Sequence, residues 1–228
     1  MVTTLYLIRH GETEGADVKR YKGSIDVPLS DNGIIQIQKT SDFVFRHIKL
    51  SEAAKKKSYL NDIHKPHLKS SEELALSSVF CSDLSRAVKS AEIVAEPYAI
   101  SPVANPAFRE RSFGVWEGMS FPEIKEQYPS EFEAWASDPV TFSPVCGEST
   151  VDLNARVMPA LNGILEKHQG ESIALVAHGG VNRVILCNIM GVPLENVFRV
   201  EQDFAAVNVI EFWDKYPVVK LLNGVFYG

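Results

Sequence analysis

Leu5-Tyr6-Leu7-Ile8-Arg9-His10-Gly11-Glu12-Thr13 is the stretch that decides how this chain is read. Its four apolar residues fit a short buried strand, and the polar cluster falls where that strand ends. Open α/β sheets place their ligands at the carboxyl ends of the strands. Arg9 beside His10 offers a planar cation next to a nucleophilic imidazole, and a guanidinium matches two phosphate oxygens at once. A strand end capped by polar residues would explain one such pair equally well, so the rest of the chain has to choose between the two.

Three downstream stretches favour the chemical reading. Cys81-Ser82-Asp83-Leu84-Ser85-Arg86-Ala87 follows a second apolar stretch, Val79-Phe80, and opens a helix predicted over 83–96. Phe108-Arg109-Glu110-Arg111-Ser112-Phe113-Gly114-Val115-Trp116-Glu117-Gly118 supplies a carboxylate, Glu110, able to handle protons. In Ala174-Leu175-Val176-Ala177-His178-Gly179-Gly180-Val181 a third strand ends in a histidine and a helix begins at the glycines. A helix N-terminus presents free N–H groups and partial positive charge to an anion. Two histidines and two arginines at three strand ends are a poor way to fill a core.

Composition bounds the alternatives. The chain has 228 residues, of which 45% are hydrophobic, and a formal net charge of −6. That is enough apolar material for a substantial core, and the charge argues against a general nucleic-acid or anionic-membrane binder. No apolar run reaches a membrane span, and no charged leader with an apolar core precedes the first strand. Cys81, Cys146 and Cys187 cannot all pair and lack metal-ligand spacing, which points to a reducing cytoplasm.

The coarse order is strand, helix, strand, helix, irregular segment, helix, strand, helix, strand. Ser30 or Asp31 is expected to cap a helix over about 32–54. Further helices are expected over 150–168, with a kink at Pro159, and over 181–190, ending at Gly191. Strands are expected over 206–212 and 218–222. Alternation of this kind predicts a three-layer α/β/α arrangement around a mainly parallel sheet. The whole of 1–228 is expected to form one domain. About 97–147 reads as a cap inserted over the strand carboxyl ends, and 55–77, rich in Lys, Ser and Glu, as a variable insertion. Most of the cap aromatics, Trp116 and Phe132 among them, are expected to be cap core. Glu148 is expected to order the helix that follows, and His64 and His67 to lie in a solvated loop rather than at a metal.

These motifs, in this order and over about residues 3–213, resemble those of the histidine phosphatase, or phosphoglycerate-mutase-like, family. The resemblance implies a phosphoglycerate-mutase-like fold and an enzyme that needs neither metal nor other cofactor. It implies that His10 is the nucleophile, that Arg9 and Arg86 hold phosphoryl oxygens, and that His178 donates to another as imidazolium. Glu110 would act as general acid and then base. Gly11, Lys22, Gly23 and Gly179 would line the substrate. Ala16 stands where the family often has an Asn that contacts phosphate. The Glu110–Gly118 segment and the Gly179-Gly180 pair after the second histidine are similar to the phosphatase branch rather than to the mutases. Within it, Tyr21–Ser30 is similar to the α-ribazole-5′-phosphate phosphatases. The implied partner is a small-molecule phosphate ester, with no nucleic acid or membrane; a homodimer is left open. A phosphoglycerate mutase, a sugar-phosphate phosphatase and a non-catalytic phospho-ligand module are the competing readings.

Overall fold

A computed structural model describes residues 1–18, 20–60 and 75–226, with 51–60 as backbone alone. Six strands form one sheet: β1 (Thr3–Arg9), β2 (Leu76–Cys81), β3 (Val103–Ala104), β4 (Ser172–Ala177), β5 (Val207–Phe212) and β6 (Pro217–Gly224). Their spatial order is β3-β2-β4-β1-β5-β6. The first four are mutually parallel, whereas β5 and β6 join antiparallel. The helices are α1 (Asp31–Leu60), α2 (Ser85–Ala95), α3 (Phe121–Gln127), α4 (Pro129–Ser137), α5 (Thr150–Lys167) and α6 (Gly179–Met190).

Strand periodicity sorts the apolar run of β1 between two cores. Leu5 and Leu7 join Ile173 and Leu175 against α5 and α6, through Leu153, Val157, Val184 and Ile185. Tyr6 and Ile8 join Ala174 and Val176 against α1 and α2, through Ile37, Val44, Ala91 and Val94. Both faces of the sheet are covered, so the continuous apolar run is what a central strand requires. Each fully buried aliphatic side chain contributes roughly 1.5–3 kcal/mol. A third, separate cluster holds Trp116, Ile124 and Phe132, with Phe113, Tyr128 and Trp135 packed on it. It gives α3 and α4 a core of their own.

Register positions the site. Arg9 pairs with Ala177 across β1 and β4, so His10 and His178 leave adjacent strand ends side by side. The ladder runs one step further, the His10 N–H donating to the Ala177 carbonyl at 3.0 Å. Cys81 pairs with Val176, which brings the loop leading to Arg86 alongside.

Several boundaries differ from the sequence reading. Helix α1 continues to Leu60 rather than 54, because Ala53 to Lys57 are good helix formers with no Gly or Pro to interrupt them. Helix α2 begins at Ser85 rather than 83, since Leu84 is extended and Asp83 is held by Arg109 at 2.6 Å. Strand β3 was not foreseen; two residues between prolines carry no periodicity, and an edge position tolerates them. Ser30 caps α1 through its hydroxyl, which accepts from the Gly33 N–H at 3.0 Å. His64 and His67 lie outside the described residues. Among the described residues no helix is long and apolar enough to cross a membrane.

Candidate active site

His10 closes β1 and is nearly buried. Its Nδ1 lies 2.7 Å from the carbonyl of Gly11. A carbonyl only accepts, so Nδ1 carries the proton and Nε2 is left with the lone pair. The His178 ring stands edge-on, with ring centroids 5.1 Å apart. His178 is fully buried, and neither of its ring nitrogens has a hydrogen-bond partner. Buried polar groups are almost always satisfied; these two nitrogens are unpaired beside His10, and His178 itself is not among the residues that line the cavity.

Two guanidinium groups flank the histidines. Arg9 donates to the Gln202 carbonyl at 2.6 Å and lies 4.0 Å over the Phe204 ring, while its buried Nε has no partner. Burial lowers its pKa to about 10, which leaves it charged at neutral pH. Arg86 is buried on the first turn of α2 and donates to the carbonyls of Lys22, Gly23 and Ile25 at 3.2, 2.9 and 2.7 Å. It ties the 22–25 loop to the site, and three carbonyls offset the burial of a cation.

Glu110 reaches in from the segment after β3. One carboxylate oxygen accepts from the Gly180 N–H and the other from the Arg111 N–H, each at 2.9 Å. A Cβ on Gly180 would lie 2.5 Å from that carboxylate, so the second glycine after His178 is what lets Glu110 approach α6. Gly179, beside the Arg9 guanidinium, lines the cavity as expected.

The remaining sequence candidates divide. Lys22 and Gly23 line the cavity, but the Lys22 ammonium is spent on the carbonyls of Glu14 and Gly15 at 2.6 and 3.0 Å. A Cβ on Gly23 would stand 2.1 Å from the Arg111 carbonyl, so this glycine serves close backbone packing. Gly11 is not among the residues lining the cavity; its Cβ direction is filled by the Gly33 carbonyl at 2.3 Å. Ala16 lines the cavity without a polar group. Glu148 is not a first-turn residue of α5. Ser149 and Asp152 cap that helix reciprocally, while Glu148 accepts from Arg156 at 2.8 Å and from the Ser112 N–H at 3.0 Å. It thus ties the segment bearing Glu110 to α5.

Sequence reasoning missed Phe204, which faces both Arg9 and His10. It also missed Gln202 and Asn208, two buried amides that exchange hydrogen bonds at 2.8 and 3.1 Å. Asn208 donates in addition to the Leu7 carbonyl at 3.0 Å. An Asn in an otherwise apolar strand, Val207-Asn208-Val209-Ile210, was the available signal.

Burial is the main cause that holds both histidines well below the ordinary value of 6.5; for His10 the charges of Arg9 and Arg86 add to it, and for His178 His10 itself does. The free site therefore favours a neutral His178 rather than the imidazolium expected from the sequence; a neutral ring still donates through one N–H. A folded-state pKa below the unfolded value means that the unfolded chain takes up more protons. This contribution to stability is complete above about pH 6.5 and is lost as the pH falls below it, at up to about 1.4 kcal/mol per pH unit for each ring. Thermal melts in phosphate-free buffer should show Tm falling from about pH 6.5 downward, and less steeply in His178→Gln. A Tm flat over that range in the wild type would refute the assignment.

His10, Arg9, Arg86 and Glu110 open onto one cavity of about 700 Å³. A ring nitrogen with its lone pair free, two guanidinium groups and a carboxylate at a helix N-terminus are a set whose chemistry suits phosphoryl transfer. The comparisons with known proteins agree. The model of the histidine phosphatase superfamily (branch 1) matches residues 5–54 and 67–224. Phosphoserine phosphatase 1 of Hydrogenobacter thermophilus is 26% identical over 98% of this chain and 95% of its own. The adenosylcobalamin/alpha-ribazole phosphatase of Salmonella typhimurium is 25% identical over 96% and 95%. The solved structure of Bacillus stearothermophilus YhfR superposes with a TM-score of 0.78 at 26% identity, covering 98% of each chain. The chain belongs to the histidine phosphatase superfamily and is a phosphatase, a phosphoric monoester hydrolase.

Proposed function

We propose that the chain hydrolyses small-molecule phosphate monoesters through a phosphohistidine on His10. The observation that carries this is the tautomer: Nδ1 is pinned to the Gly11 carbonyl, leaving Nε2 as a lone-pair donor on a ring that feels the charges of Arg9 and the buried Arg86. Nε2 attacks phosphorus as the P–O bond to the alcohol breaks, and Glu110 gives that oxygen a proton. Glu110 then takes a proton from water, whose oxygen attacks phosphorus as the P–N bond breaks, releasing inorganic phosphate. Splitting one displacement into two is the benefit of covalent catalysis. Arg9, Arg86 and His178 would carry the charge on the equatorial oxygens, which is where phosphoryl transfer is stabilised. The scheme asks for no metal or cofactor.

For the substrate, the favoured reading is α-ribazole 5′-phosphate or a close relative. It is supported by the similarity of Tyr21–Ser30 and by the ribazole phosphatase relative. Phosphoserine is the second reading, because a relative of equal similarity bears that name. The free thiols Cys81, Cys146 and Cys187 fit a cytoplasmic setting. The test is phosphate release in the presence of chelator from α-ribazole 5′-phosphate, phosphoserine, ribose 5-phosphate and 3-phosphoglycerate. Release from α-ribazole 5′-phosphate at ten times or more the rate of the others is the expected result. Release spread evenly over the four would remove the substrate and keep the mechanism. Isomerisation of 3-phosphoglycerate without net release would replace the phosphatase reading with a mutase.

A further inference from the structure

The cavity is far larger than the phosphoryl group it would clamp, at about 700 Å³, within the range of pockets that enclose drug-sized ligands. What lines the remainder is informative. Phe121 of α3, Trp135 of α4, Val184 of α6, and Val197 and Phe198 from the 194–199 turn are among the lining residues. Ring centroids lie 5.8 Å apart for Phe121–Trp135 and 6.3 Å apart for Trp135–Phe198, so the three rings form one contiguous aromatic patch on the cavity lining. Phe198 is 56% exposed and Phe121 45% exposed. Aromatics so open to solvent bury little for the fold, and a ligand group would complete their burial.

The charges of the same cavity point the same way. Beyond Arg9 and Arg86 it is lined by Arg20, Lys22, Arg111 and Arg183, and each is held elsewhere. Arg20 forks onto Glu123 at 2.7 and 3.1 Å, and Lys22 caps two carbonyls. Arg111 donates to the carbonyls of Glu148 and Phe142 and to the Thr150 hydroxyl, and Arg183 donates to the Val200 carbonyl and to Glu201 at 2.7 and 3.0 Å. Each of the four thus already donates to protein acceptors, and a second anionic group on the substrate would have to share or displace those bonds. The acidic Glu201 and Asp203 line it as well.

We infer that the site takes phosphate monoesters whose alcohol part is uncharged and carries a flat apolar or heteroaromatic group, seated among Phe121, Trp135 and Phe198. Esters bearing a carboxylate are turned over poorly. The inference rests on the phosphomonoesterase reading and narrows its substrate class, decidedly against amino-acid and glycerate phosphates.

Three alkyl esters with similar leaving alkoxides separate binding from chemistry: ethyl phosphate, 2-phenylethyl phosphate and O-phosphoserine. kcat/KM should be about tenfold or more higher for 2-phenylethyl phosphate than for ethyl phosphate, and about tenfold or more lower for phosphoserine. The phenylethyl-to-ethyl ratio should fall towards one in Phe198→Ala and in Trp135→Ala. Phe198, more than half exposed, keeps the test available if Trp135→Ala does not fold. A phenylethyl-to-ethyl ratio near one in the wild type, a ratio unmoved in Phe198→Ala, or phosphoserine turned over as fast as ethyl phosphate would overturn the inference while leaving the phosphatase intact. Release that persists in His10→Ala, or no release from any of the three, would instead bring down the reading beneath it.

Discussion

Substituting His10 with alanine should lower phosphate release by about 10⁴-fold or more, with KM little changed, because removal of a covalent nucleophile leaves only binding and electrostatics to act. The site is built so that the loss is chemical. His10 contributes a ring at the cavity wall and one hydrogen bond to its neighbour's carbonyl, while the phosphate would still find Arg9, Arg86 and His178. Brief exposure of the wild type to ³²P-labelled substrate, followed by alkaline quench, should leave an alkali-stable, acid-labile label on the protein that the variant lacks. Equal labelling of wild type and variant would place the nucleophile elsewhere. Turnover surviving in His10→Ala within tenfold of the wild type would rule out a covalent route through this residue.

The second large effect belongs to Glu110. Glu110→Gln removes the proton that the leaving alkoxide needs, so alkyl phosphates should slow by about 10²–10⁴-fold. A p-nitrophenyl ester, whose phenolate leaves without protonation, should slow far less in its first step. The divergence between the two esters is the diagnostic, because the variant also changes the local hydrogen bonding. Both carboxylate oxygens accept backbone N–H groups, and an amide can accept only through its oxygen. A purely structural disturbance would slow both esters alike. Comparable losses in that first step, read as the burst of alcohol or p-nitrophenolate on forming the phosphoenzyme, would therefore deny Glu110 its role as acid.

The sequence carried the strand ends well, and the reason is physical. A central parallel strand must be apolar on both faces, so Leu5–Ile8 and Ala174–Ala177 stand out, and the polar residues that follow them are conspicuous by contrast. The structure brings Arg9, His10, Arg86, Glu110 and Gly179 to one cavity, with His178 against His10. What sequence could not carry depends on relations across space. Lys22 and Gly11 sit in the right loops, yet their side-chain directions are occupied by Glu14, Gly15 and Gly33. The committed state of Arg20, Arg111 and Arg183 is invisible until their partners are placed. The ionisation of His178 follows from complete burial beside other cations, which a motif does not display. The antiparallel attachment of β5 and β6 is a matter of chain path, since a strand's composition does not state its direction.

The bond from Arg9 to the Gln202 carbonyl gives the clamp an unusual place in the life of the chain. A nascent polypeptide that has emerged as far as residue 190 already contains the nucleophile, both arginines, the acid and the second histidine. It lacks β5, the neighbour of β1, and it lacks the amide pair that fixes where Arg9 points. Contacts closing a loop of nearly two hundred residues form late and slowly. A chain that stops short of β5 is therefore expected to leave Arg9 without its Gln202 anchor and to release phosphate poorly, although every residue of the proposed chemistry is already in it.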